Sequence, residues 1–212
     1  MIVAIDVSGS MNYPDWKPSR LDGAKEAFTA LIDEKAQKRP HDCVGVVTYS
    51  NDARIHHIPT IVAGAASVLK KSVARLKAGG GTDIEQALLE AERALRQTDI
   101  RKRVGKEGLL KSLLGEAESL PSLDRRILLL TDGQHEASPG WRVVQAARRL
   151  KDFGVQILCI GIGDAEDVDA ELLRTVASLG PNGNPLYWHI SYKMELVKKF
   201  REVANGICIV EP

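Results

Sequence analysis

With 212 residues, 29 Lys and Arg against 28 Asp and Glu, and a formal net charge of +1, this chain has almost no long-range electrostatic preference. Near-neutrality argues against a nucleic-acid protein working through a strongly basic face and against an acidic solvating tail, so recognition should be local. A hydrophobic content of 44% is enough for one buried core, and a single domain over 1–212 is the expectation.

Short β-rich apolar runs alternate with longer segments of helical period, the pattern of an α/β sheet with crossover helices. Ile2–Ile5 reads as the first strand, and a helix over Arg20–Lys38 follows, with Ser19 as N-cap and Asp22 three positions on. Val44–Tyr49 is the second strand, and the turn Ser50-Asn51-Asp52 is short enough to return Arg54–Ile58 as an antiparallel edge strand. Helical segments near Ala65–Leu76 and Asp83–Arg96 are separated by Gly79-Gly80-Gly81. Ile127–Thr131 is a continuous aliphatic run, as expected of a central strand covered on both faces. A helix is expected to start at Ser138-Pro139, a cap followed by proline at the first helical position. Val155–Ile160 is another buried strand, followed by a helix near Val168–Leu179, a wetter strand Leu186–Ile190, and a last helix Lys193–Ala204 that ends at Asn205-Gly206. The stretch 98–123 is too long for a simple connection, and its leucines recur at helical spacing, so it reads as an inserted amphipathic helix packed on the body or docking a partner.

No apolar stretch approaches the ~18 residues of a membrane span, and the opening MIVAIDVSGSM has none of the parts of a signal peptide. Cys43, Cys159 and Cys208 lie far apart in apolar runs, as reduced packing thiols do. A cytoplasmic chain is therefore expected, or a surface or exported one if 1–212 belongs to a longer protein.

Three polar segments stand where aliphatic strands stop or helices start: Asp6-x-Ser8-x-Ser10 after IVAI, Thr82-Asp83 after the glycines, and Thr131-Asp132-Gly133 after ILLL. In an open α/β sheet the ligand crevice lies beyond the carboxyl ends of the strands, where strand order reverses. If the first strand sits beside ILLLT at that reversal, all three segments meet there. Asp6, Ser8, Ser10, Thr82 and Asp132 form an all-oxygen set suited to Mg²⁺, with Mn²⁺ or Ca²⁺ as alternatives and zinc disfavoured. Neutral hydroxyls leave much of the ion's charge uncompensated, and an incoming acidic group could complete its shell.

These motifs, DVSGSM, GGTD and LLTDG, resemble in order and strand context the metal-ion-dependent adhesion site (MIDAS) of von Willebrand factor type A domains. The resemblance covers nearly the whole chain, including Gly161-Ile162-Gly163 and the closing helix. It implies a Rossmann-like open sheet of six mostly parallel strands in the order 3-2-1-4-5-6, with helices on both faces. It also implies hydroxyl ligands at Ser8, Ser10 and Thr82, carboxylates at Asp6 and Asp132 acting directly or through water, and a partner protein presenting Asp or Glu to the metal. For an untargeted chain it suggests a module of a larger assembly, such as one driven by an AAA+ ATPase, and an adhesin if export sequence precedes these residues. The loop Asn12–Pro18 and the stretch 98–123 depart from the family pattern.

Plainer readings stand beside these. Thr82 with Glu85 is also a capping box, and Asp83 either supports the ligands through a hydrogen bond or favours the helix N-terminus. Gly133 is an ordinary turn residue by itself, while His135 is either a crevice-rim group or a solvated loop histidine. Tyr13 and Trp16 are contact aromatics or packing residues. Gly79–Gly81 lacks the ending of a phosphate loop, and no HExxH occurs. A metal-dependent phosphoester hydrolase is the alternative, weakened because Ser8 stands where dehalogenase-like phosphatases carry a second Asp and because no separate general base is evident.

Overall fold

The computed structural model describes residues 1–104, 124–135 and 137–206. Six strands, β1 Ile2–Asp6, β2 Cys43–Tyr49, β3 Ala53–Ile61, β4 Arg125–Thr131, β5 Val155–Ile162 and β6 Tyr187–Ile190, form one sheet in the order β3-β2-β1-β4-β5-β6. All pairings are parallel except β2 with β3, whose short turn leaves no room for a crossover. This is the six-stranded Rossmann-like order that the motifs implied.

Alternation along the strands divides the core into two layers. Val3 and Ile5 of β1 join a cluster with helices α1 (Arg20–Lys38), α2 (Val62–Ala74) and α6 (Lys193–Ala204), whereas Ile2 and Ala4 join one with α3 (Ile84–Val104), α4 (Gly140–Asp152) and α5 (Ala170–Val176). Both faces of β1 and β4 are thereby covered, which is why these strands carry aliphatic residues without a polar face. The first helix is capped as its sequence indicates, Ser19 Oγ accepting from the Asp22 N–H at 3.1 Å.

Some boundaries differ. The α4 helix begins one residue later than its Ser-Pro signal predicts, with Pro139 at the N-cap and Ser138 outside the helix, because the Ser138 hydroxyl is bonded elsewhere. The α3 helix runs on to Val104, so the start of the expected insertion continues it. The rest of that insertion, 105–123, lies outside the described residues, as does Cys208. Among the described residues, no helix is long and apolar enough to cross a membrane.

Candidate metal centre

Parallel register sets the site. Ile5 pairs with Leu130, so the carboxyl ends of β1 and β4 open side by side, where the strand order departs in both directions from β1. The Thr131 hydroxyl donates to Asp6 Oδ2 at 2.7 Å, and the Ser8 N–H donates to Asp6 Oδ1 at 2.7 Å. Asp6 thus folds the chain back into a short 3₁₀ turn, Gly9–Asn12, that presents Ser8 and Ser10 to the crevice. Backbone bonds from Gly9 N–H to Gly80 O (2.8 Å) and from Gly79 N–H to Val7 O (2.7 Å) join this turn to the glycine loop that carries Thr82.

Asp132, fully buried, faces two ways. Its Oδ1 accepts from the Ser10 hydroxyl at 2.7 Å and from the Ser8 hydroxyl at 3.4 Å, the two hydroxyls lying 3.0 Å apart. Its Oδ2 accepts from Arg20 Nη1 at 3.1 Å. The crevice above them is about 360 Å³ and is also lined by Thr82, Gly133 and Tyr13. A Cβ at Gly133 would point into this crevice, in ordinary contact with Thr82 Oγ1 at 3.4 Å and Ser10 Oγ at 3.9 Å.

Two buried carboxylates this close are costly to ionise together. Burial, and then the charge of Asp132, push the Asp6 carboxyl up to about 7, against the hydrogen bonds from Thr131 and Ser8. Burial also raises Asp132, opposed by its bonds to Ser10 and Arg20. A divalent cation would relieve both. Among the described residues no three His, Cys, Asp or Glu side chains cluster as a metal site, so hydroxyls must supply part of any shell here, which suits a hard cation. The donor set and the space beside Gly133 both fit one. Millimolar Mn²⁺ is expected to raise the melting temperature of wild type but not of Gly133→Val, whose side chain would enter the crevice, with the two metal-free melting temperatures within a few degrees; an equal Mn²⁺ effect on both would count against a metal at this place.

The structure distributes the remaining candidates differently from the sequence. Asp83, not Thr82, caps α3, its Oδ1 accepting from the Gln86 N–H at 3.1 Å, which leaves the Thr82 hydroxyl turned to the crevice. Glu85 closes no capping box; it accepts from the Ser138 hydroxyl (2.9 Å) and from Arg142 Nε (3.2 Å). His135 is neither rim nor solvated loop: its side chain is 1% exposed, Nδ1 accepts from the Ile84 N–H at 3.2 Å, and Nε2 lies 2.9 Å from Ser138 Oγ. The Ser138 backbone N–H also points at Nε2, at 3.2 Å. His135 therefore ties the loop after β4 to the start of α3. Trp16 is buried and donates its indole N–H to Ser191 O at 2.9 Å, whereas Tyr13 is 52% exposed beside the crevice.

Sequence reasoning missed Arg20. Only 2% exposed, it donates to Asp15 Oδ2 (2.9 Å) as well as Asp132, lies 3.6 Å from Asp167 Oδ2, and has its guanidinium 4.9 Å from the Tyr13 ring centre. One signal was available: a cation at the first position of a helix runs against the helix dipole, so it needs another reason to be there.

With this geometry established, comparison with known proteins places the chain. The family model for the von Willebrand factor type A domain matches residues 1–134. The chain belongs to the von Willebrand factor type A (VWA) family. A curated relative, a UPF0353 protein of Mycobacterium bovis, is 26% identical over 223 residues, covering 98% of this chain and 58% of its own length. Among solved structures, a von Willebrand factor type A protein from Catenulispora acidiphila superposes with a TM-score of 0.71 at 25% identity, over 98% of this chain and 42% of that one. Proximal thread matrix protein 1 of the mussel byssus, with a zinc-occupied MIDAS motif, gives 0.65 at 22% identity over 98% of this chain and 47% of that one. The chain thus spans little more than half of the mycobacterial relative and less than half of these two structures. VWA domains typically mediate protein–protein interaction and commonly bind a divalent metal.

Proposed function

We propose that this VWA domain is a metal-dependent interaction module, in which a divalent ion held at Asp6, Ser8, Ser10, Thr82 and Asp132 takes an Asp or Glu side chain of a partner protein as a further ligand. The observation that carries the reading is the convergence of Asp132 Oδ1 with the Ser8 and Ser10 hydroxyls on the floor of an open crevice faced by Thr82. Mg²⁺ or Mn²⁺ is the favoured ion on donor chemistry, with Ca²⁺ as an alternative. The mussel protein's zinc is a reason to include that ion in the test. The hydroxyl ligands leave the ion electrophilic, which is what capture of a carboxylate requires. The partner belongs to a larger assembly, with an AAA+ ATPase complex as the first candidate.

A hydrolase reading finds less support. His135, the histidine next to the site, does not line the crevice and is committed to its loop. The test is recovery of partners from lysate on immobilised protein, with Mg²⁺, Mn²⁺ or Zn²⁺ against chelator. Wild type is expected to retain metal-dependent partners that Ser10→Ala loses while still melting cooperatively in chelator. Equal recovery with and without metal would overturn the proposal, and metal-dependent turnover of generic phosphoesters would favour the hydrolase.

A further inference from the structure

We infer that Arg20 is a built-in counter-cation of the metal centre, which holds Asp132 in place and, by like-charge repulsion, keeps the affinity for a divalent ion low enough that a partner's carboxylate must reinforce it. This rests on the proposed metal site but concerns a residue outside its ligand set.

Three observations support it. The guanidinium bonds the carboxylate oxygen of Asp132 that faces away from Ser8 and Ser10, so it orients Oδ1 toward the crevice without blocking it. It is 2% exposed, and arginine stays protonated, so this positive charge is neither screened by water nor removable. Its other carboxylates, Asp15 and Asp167, are 39% and 47% exposed, and water weakens their compensation. The fold also makes room for the charge: the guanidinium rests on the backbone of Gly163, where a Cβ would lie 2.5 Å from Arg20 Cζ. Among the fully buried groups, two acids set against one guanidinium leave a single net negative charge, to which the water-screened carboxylates of Asp15, Asp167 and Glu166 add only weakly. A partner carboxylate supplies the remainder of what a divalent ion needs, so metal and partner bind cooperatively.

The same contacts tie Asp132 to the two loops beside the crevice. Asp15 belongs to the loop before α1 and Asp167 to the loop between β5 and α5. Arg20 is thus a positioning residue for the metal ligand and for the rim together.

The experiment titrates wild type, Arg20→Gln, Arg20→Lys and Ser10→Ala with Mn²⁺ alone, reading free Mn²⁺ by electron paramagnetic resonance at fixed ionic strength, with circular dichroism as the check of folding. Arg20→Gln is expected to bind Mn²⁺ about five-fold tighter or more, and Arg20→Lys, which keeps the charge, to stay within roughly two-fold of wild type. A merely structural arginine predicts weaker binding, so tightening is the distinguishing result. Equal or weaker binding by folded Arg20→Gln, or tightening by Arg20→Lys to the same extent, would overturn the inference. Should Arg20→Gln not fold, Arg20→Met fills the same slot without charge and is held to the same outcomes. Failure of the metal reading looks different: wild type then binds no Mn²⁺, or binds it no better than Ser10→Ala.

Discussion

Gly163→Ala should lower the stability of the metal-free protein by about 2–4 kcal/mol, a fall of roughly 5–15 °C in melting temperature for a domain of this size. Two effects add. Gly163 has φ of +92°, where an L side chain is strained by about 1–2 kcal/mol. The added Cβ would also lie 2.5 Å from Arg20 Cζ and 2.7 and 2.8 Å from its terminal nitrogens, so the guanidinium must leave Asp132. A buried carboxylate that loses its charged partner costs more than the bond was worth, because its desolvation is no longer offset. Part of the loss therefore belongs to Arg20, and Gly163→Ala combined with Arg20→Met should be markedly less than additive. Thermal melts of the two single variants and the double variant measure this. Full additivity would mean that the clash with Arg20 is relieved elsewhere.

Asp6→Asn should abolish the response of the protein to metal and raise its metal-free stability at alkaline pH. In the folded state burial and Asp132 hold the Asp6 carboxyl up at about 7, from an ordinary 3.8, so the folded protein takes up a proton that the unfolded chain does not. The sign follows: wild-type stability from this group is greatest below about pH 4 and is lost as pH rises toward 7. The asparagine has no charge to bury, keeps an oxygen for the Ser8 N–H, and can donate to Thr131 Oγ1. Without metal, the variant should therefore match wild type near pH 4 and exceed it at pH 8, by at most on the order of 4 kcal/mol, the equivalent of the shift. With millimolar Mg²⁺ or Mn²⁺ at pH 8, wild type should gain stability by mass action and the variant should not. Melts at both pH values, with metal and with chelator, decide it. Parallel pH profiles for the two proteins would show that Asp6 is not strained by its charge, and equal metal gains would show that it plays no part in binding the ion.

Much of this molecule was legible along the chain because the relevant information is local. Strand and helix periodicity, the Ser19 cap and the aliphatic runs of β1 and β4 depend on residues within a few positions of one another, and each has the same meaning in any fold. The three polar motifs could be read as one site because parallel strands bring their carboxyl ends to a single edge. Residues whose role depends on a distant partner were not readable this way. Thr82 and Glu85 have capping-box spacing, yet Asp83 is the cap, because the Glu85 carboxylate meets Ser138 and Arg142 across the loop. Ser138 has cap chemistry, but His135 and Glu85 engage its hydroxyl first. Arg20 looks like a surface residue at a helix start until packing buries it against Asp132, 112 positions away.

The sequence by itself therefore determined the strands, the helices and the oxygen-rich character of the three motifs, since these follow from local patterning and from the chemistry of the side chains, while the strand order followed from the family resemblance that those motifs carry. Only the tertiary structure decided how the charges are arranged there: a guanidinium buried behind Asp132, an Asp6 carboxyl held near neutral pH, and a glycine lying under the arginine. Burial and long-range pairing set the energy of a charge, and neither exists until the chain has folded.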